Sequence, residues 1–329
     1  MKVLINSALV KTHGKTVKYQ GCERLAFEIA CELHKQGHEV SVVAPRGSVY
    51  PEGIFVFEAE TGGADAEQRS YPIYVDKLPS FDIIHDLSHY HVPAMNNPHL
   101  PTLNAFWHDP YIAKFPEPSY NIISLSEWGA RRFRDIYKQG ARFQETIVVD
   151  LNRYYPTFNS GNRFLSLGLM LPLKGHLEAM RLCRKLDVPL DGVGGRSPTD
   201  PDDYERCVRS LCFGKIVFHG DVDDNTKIDL MQSAKAMIFP QGQLEVHSHK
   251  SCEALACGCP VITWNKGAMR EVIGNAGYVV DTEEEFLYAM EHCYISPSVC
   301  RERALRWSVD KVVKDYVGLY GEVANGLRW

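Results

Sequence analysis

Short apolar segments alternate with amphipathic ones along this chain, and that alternation constrains the fold more than any other feature. KVLIN (2–6) is an apolar strand candidate. Residues 21–36 then carry Leu25, Ile29 and Leu33 at four-residue spacing, which predicts a helix. Gly37 ends it, and EVSVVA (39–44) resumes the apolar pattern. Strand, helix and strand in so short a span form a βαβ unit, and βαβ units imply a parallel sheet. FDIIHDLS (81–88), PTLNAFW (101–107), YNIISLS (120–126) and TIVVDL (146–151) predict further strands, with a helix over 127–138. Residues 58–70 (EAETGGADAEQRS) read as a loop. The polar, turn-rich stretch 152–162 suits a domain boundary. Beyond it the alternation restarts with RFLSLGL (163–169), a helix over 175–186, and the runs VPLDGV, KIVFHG, AKAMIFP, PVITW and GYVVD. A last helix is expected between Ser308 and Leu327, with Val312, Val313, Tyr316, Val317 and Tyr320 on its apolar side. The 329 residues therefore predict two consecutive doubly wound α/β halves, each long enough for its own core.

The bulk numbers narrow the partners. A net charge of −5 supplies no global basic field, so no nucleic acid partner is expected. No apolar run approaches the roughly 20 residues that span a bilayer, and the start lacks the apolar length of a signal peptide. A cytoplasmic protein is the expectation. Ten cysteines form no CxxC pair and read as buried free thiols in a reducing compartment, so no metal site is expected.

The chemistry concentrates in residues 239–260, FPQGQLEVHSHKSCEALACGCP. Glu245 and Glu253 stand in an E-x7-E arrangement, the first in a loop after an apolar run and the second in a helix beginning near Ser248. A helix N-terminus at the carboxyl end of a strand is suited to an anion such as a diphosphate. Carboxylate oxygens accept hydrogen bonds from sugar and ribose hydroxyls. The spacing alone also fits two solvated acids.

The surroundings of the two glutamates carry a resemblance. Glu253 is followed by Ala-Leu-Ala-Cys-Gly-Cys-Pro-Val-Ile, then by Gly267-Ala268, Glu271-Val272 and Gly277-Tyr278-Val279-Val280. Upstream lie RFLSLGLMLPLKG (163–175) and IVFHGDV (216–222). Gly21-x-Glu23-Arg24, Gly37-His38-Glu39-Val40 and FDIIHDLS occupy the N-terminal half. This pattern resembles glycosyltransferase family 4 over nearly the whole chain.

The resemblance implies a GT-B fold with two Rossmann-like domains facing a cleft. It implies an acceptor domain at 1–155, a donor domain at 156–308, and a helix at 309–329 crossing back to the first domain. It implies retaining transfer of a hexose from a nucleotide-sugar, UDP favoured over GDP, with no metal and no cofactor beyond that co-substrate. The acceptor would be a saccharide, a lipid-linked sugar or a small molecule. Matched by position, Lys174 would neutralise the donor diphosphate beside Gly168, and Glu253 would hold the ribose. Glu245 would touch the sugar, and His108 would face it. Gly14 lies in the loop that closes over the substrates in relatives. The basic segment Arg131, Arg132, Arg134, Lys138 and Arg142 is either a solvated helix face or a weak contact to anionic lipid headgroups.

Two departures stand out. Leu169 follows Gly168 where the family places arginine. Arg196, Lys215 and Lys250 are the candidate substitutes. Between the glutamates, Val-His-Ser-His-Lys-Ser-Cys replaces a mostly apolar segment, which adds Ser248, His249 and Lys250 to the candidate donor-binding residues. These departures keep open a protein that binds nucleotide-sugars without transferring them. Gly192-x-Gly194-Gly195 lacks the spacing of a dinucleotide loop.

Overall fold

The computed structural model describes residues 1–14, 21–62, 64–107, 120–157, 161–196 and 202–329. They divide into two compact units, one of Met1–Val148 with Trp307–Trp329, the other of Val149–Arg306.

The first unit runs β1 (Lys2–Asn6), α1 (Gly21–Lys35), β2 (Glu39–Pro45), β3 (Phe55–Ala59), α2 (Ala64–Ser70), β4 (Ile83–Asp86), α3 (Val92–Asn96), β5 (Thr102–Phe106), β6 (Ile122–Ser124), α4 (Glu127–Tyr137) and β7 (Ala141–Phe143). Its seven strands are all parallel, in the order β3-β2-β1-β4-β5-β6-β7. Helices cover the sheet, so central strands such as β1 and β4 are buried along nearly their whole length and read as continuous apolar runs. Leu25, Ile29 and Leu33 of α1 are fully buried in the core with Val3, Ile5 and Val42.

The second unit runs β8 (Phe164–Leu167), α5 (His176–Lys185), β9 (Leu190–Val193), α6 (Asp202–Ser210), β10 (Ile216–Gly220), α7 (Asp224–Ser233), β11 (Ala236–Phe239), α8 (His249–Ala256), β12 (Val261–Trp264), α9 (Met269–Ile273), β13 (Gly277–Val280), α10 (Glu283–Glu291) and α11 (Pro297–Ala304). Six parallel strands lie in the order β10-β9-β8-β11-β12-β13. The last helix, α12 (Val309–Ala324), belongs to the first unit. Its Val312, Val313, Tyr316 and Tyr320 recur at helical spacing and are fully buried in that unit's core.

Three expectations need correction. TIVVDL (146–151) is no strand. Ile147 and Val149 are buried, but the sheet edge is β7, and Thr146 bonds the Gln144 carbonyl and the Tyr316 hydroxyl instead. Residues 58–70 are not simply a loop. They hold the end of β3 and the whole of α2, because Ala66 and Glu67 find buried positions that composition does not announce. The units also divide at Val148 and Arg306 rather than at 155 and 308. The polar stretch is tied into the second unit: Arg301 donates to the carbonyls of Leu151 (2.7 Å) and Tyr154, and Gln232 donates to that of Tyr155 (2.6 Å).

Candidate functional site

Each sheet reverses its strand order once, between β1 and β4 in the first unit and between β8 and β11 in the second. The crevice outside the carboxyl ends of such a strand pair is where open α/β sheets bind ligands. In the second unit the sequence motifs fall at that point.

Beyond β8, residues 168–175 form a loop with a short 3-10 turn over Pro172–Lys174. Gly175 closes it at φ 79°, and a Cβ there would stand 2.3 Å from the Pro240 carbonyl oxygen. No other residue type fits both the conformation and the space. Gly242 N–H donates to the Leu173 carbonyl (3.0 Å), so the loop lies against the chain leaving β11. His176 opens α5 fully buried and pins the loop from below. Its Nε2 is 3.1 Å from the Gly168 carbonyl and its Nδ1 3.0 Å from Ser166 Oγ. Burial, reinforced by nearby Lys250, pushes its pKa down to about 4. The neutral ring therefore donates through Nε2 and accepts the Ser166 hydroxyl through Nδ1.

Glu245 is placed by its backbone. It pairs in parallel with Gly267, and its carbonyl accepts the Ala268 N–H (2.8 Å), which gives the Gly267-Ala268 motif a structural purpose. Its carboxylate takes Lys174 Nζ at 2.8 Å and Gln243 Nε2 at 3.0 Å. Gln241 is fully buried and steadies the same loop through the Thr263 hydroxyl (2.8 Å). Ser248 then caps α8, its hydroxyl 2.7 Å from that of Ser251. The first-turn amides of α8 come next in the chain. Half-buried His249 has its pKa pushed down to about 3 by burial, then by His247 and Lys227. Lys250 turns back beneath the loop, with Nζ 2.6 Å from the Leu167 carbonyl and 3.3 Å from the centroid of the Phe239 ring.

Glu253 sits one turn further along α8 and is only 5% exposed. Both its oxygens face Lys227 of α7, at 3.3 and 3.2 Å. Lys227 also meets Asp224 (3.3 Å) and the Tyr154 hydroxyl (3.0 Å). The structure thus gathers Gly168, Lys174, Glu245, Ser248 and Lys250 at the β8/β11 crevice and turns Glu253 toward a second buried ion pair. Sequence reasoning missed Lys227, Tyr154 and His176. Helix α7 carries no clear apolar stripe, so its sequence pattern does not mark Lys227 as buried.

Of the other cations considered, Lys215 precedes β10 at the opposite end of the sheet and pairs with Asp187 (2.6 Å). Arg196 lies at the carboxyl end, where it bridges Met170 through its backbone. Gly194 serves strand packing: a Cβ on it would stand 2.1 Å from the Gly168 carbonyl oxygen.

In the first unit, Gly14 follows buried His13, whose ring meets the Tyr50 hydroxyl (2.6 Å) and Ser7 Oγ (3.3 Å). His108 lies outside the described residues. At the β1/β4 crevice, Asp86 Oδ1 accepts from Asn6 Nδ2 (3.0 Å), the Ser88 N–H (3.0 Å) and the Ser88 hydroxyl (2.6 Å). Glu67 of α2 accepts the backbone N–H groups of His89 and Tyr90.

Comparison with known proteins places this geometry. Residues 163–295, which hold the whole β8/β11 crevice, match the family model described as glycosyl transferases group 1. The chain is a glycosyltransferase. Its fold is similar over its full length to that of AviGT4, a glycosyltransferase involved in avilamycin A biosynthesis, with 19% identity, a TM-score of 0.77 and coverage of 100% and 99% of the two chains. Sucrose-phosphate synthase from Thermosynechococcus elongatus is similar at 15% identity and a TM-score of 0.78, with 99% and 100% covered. HepE of Anabaena, solved in complex with UDP-glucose, is similar at 15% identity and a TM-score of 0.71, also with 99% and 100% covered. These likenesses establish the GT-B fold for this glycosyltransferase. No curated protein sequence matches the chain. Among the described residues, no helix is long and apolar enough to cross a membrane.

Proposed function

We propose that this glycosyltransferase moves a hexose from a UDP-sugar to a saccharide, lipid-linked or small-molecule acceptor, with retention of anomeric configuration and without a metal ion. The observation that carries the donor reading is the Lys174–Glu245 pair, 2.8 Å apart, beside the first turn of α8. A diphosphate at that place meets a cation and a helix N-terminus together. Both stabilise negative charge as it develops on the leaving group. Glu245 then lies beside the diphosphate, where the sugar is attached, and accepts its hydroxyls. Glu253 takes the ribose. Lys227 occupies one side of each of its oxygens, and each oxygen retains a second lone pair for a hydroxyl. The leaving diphosphate deprotonates the acceptor, so no side chain is assigned as covalent nucleophile. Gly14 and His108 are assigned to contact with the transferred sugar on the family resemblance alone. Binding of UDP-glucose by HepE, whose fold is similar, supports the choice of UDP.

The test is calorimetric titration with UDP, GDP and their glucose, N-acetylglucosamine and mannose conjugates, with and without magnesium. The product of the best donor is then assigned by anomeric NMR. Binding of UDP-sugars in the presence of EDTA and an unchanged anomer are expected. Binding without transfer to any acceptor favours the alternative of a non-catalytic nucleotide-sugar-binding protein, and an inverted product refutes retention.

A further inference from the structure

Lys250 is a buried cation in need of a reason. It is 9% exposed, and among the described residues no carboxylate lies within ion-pair distance of its Nζ. Its one hydrogen bond goes to the Leu167 carbonyl, and its other near neighbour is the face of Phe239. A buried charge without a counter-ion is costly and persists where a ligand uses it. The titratable groups around it are Lys174, Glu245 and His176.

The position of the ammonium points to an anion above the loop. A Cβ on Gly168 would stand 3.1 Å from Lys250 Nζ and 3.3 Å from Lys174 Cβ, so the two lysines flank one glycine that leaves the space between them open. Lys174 already carries its own carboxylate, Glu245, and that pair has no net charge. A nucleoside diphosphate brings more negative charge than a neutral pair offsets. Leu169, where an arginine would be expected, contributes none.

We propose that Lys250 is the second cation of the donor site, facing the donor diphosphate as it settles over Gly168. This rests on the donor-site reading above. Burial, with Lys174 adding like-charge repulsion, holds the ammonium well below the ordinary lysine value, while Glu245 opposes the shift. An arriving dianion raises that value again, so binding takes up a proton, and affinity falls as pH rises through the alkaline range.

The experiment is calorimetry on the full chain and on K250M, K250M/L169R and R196A, with UDP, GDP and the bare nucleosides. It is run between about pH 7 and pH 9 in buffers of different ionisation enthalpy. K250M is expected to weaken the diphosphate nucleotide by about tenfold to a hundredfold, the span of a charge-assisted hydrogen bond, and to leave the nucleoside unchanged. L169R should restore part of the loss, and proton uptake should vanish in K250M. Retained diphosphate affinity in K250M overturns the proposal. So does an equal loss of nucleoside binding, or loss of the increment in R196A instead. Proton uptake by the unaltered chain is read independently of any variant's folding, and its absence also overturns the proposal. If the unaltered chain binds neither nucleotide, the donor reading itself falls.

Discussion

Replacing Lys227 by methionine keeps the length of the side chain and deletes the charge that faces Glu253. The neighbouring groups set the cost. Asp224 keeps a partner, because Arg153 sits 2.9 Å from its other oxygen. The Tyr154 hydroxyl loses one contact. Glu253 is stranded: at 5% exposure it has little access to water, and both its oxygens lose their cation. Breaking a buried pair from one side costs about 3–5 kcal/mol. For a unit of this size, each kcal/mol lowers the melting temperature by about 2–4 °C, so K227M should melt about 6–20 °C below the parent chain. A two-unit chain need not unfold in one step. Hydrogen exchange at the α8 amides therefore gives the cleaner reading, since α8 carries Glu253 and belongs to the second unit alone. The companion variant K227M/E253Q removes the stranded charge and should recover about half of the loss. The reasoning is refuted if K227M lies within about 1 kcal/mol of the parent, or if the double variant is no more stable than the single one.

Other substitutions probe other joints. G175A forces a Cβ into the left-handed region against the Pro240 carbonyl and should cost at least about 2 kcal/mol, read by thermal melting; an unchanged melting temperature refutes the close approach. His176 protonates near pH 6.5 in the unfolded chain but only near 4 when folded. The unfolded state thus takes the proton first, and stability is lost as pH falls through that window, by up to roughly 3 kcal/mol. Denaturant titrations of H176Q should lack this part of the slope. Y320F deletes the hydroxyl 2.6 Å from buried His85 Nδ1 and should destabilise the first unit by about 1–2 kcal/mol, visible as faster exchange along α12.

Much of the fold was legible because local pattern and tertiary demand agree. Leu25, Ile29 and Leu33 mark the buried stripe of α1, and KVLIN, FDIIHDLS and RFLSLGL hold strands buried on both faces. Where they disagree the sequence misled. TIVVDL has the composition of a strand but forms no strand of either sheet, and EAETGGADAEQRS hides a helix whose few buried residues are small or polar. In the candidate site, spacing marked Glu245 and Glu253, the family resemblance implied Lys174 and Gly168, and a departure from that family added Ser248. That Lys174 is bonded to Glu245 was not legible, because the two stand 71 residues apart and meet only through the β8/β11 adjacency.

The sequence alone determined the alternation of elements, the count of α/β halves and the glutamate spacing that marks the crevice. These are properties of neighbours along the chain, which periodicity and turn chemistry record. Only the tertiary structure decided which lysine each glutamate meets: Lys174 for Glu245 and Lys227 for Glu253. It alone showed that Lys250 lies buried under Gly168 with, among the described residues, no carboxylate within ion-pair distance. The physical reason is that charge pairing acts through space at a few ångströms. Strand order, which no local pattern encodes, sets which charges come that close.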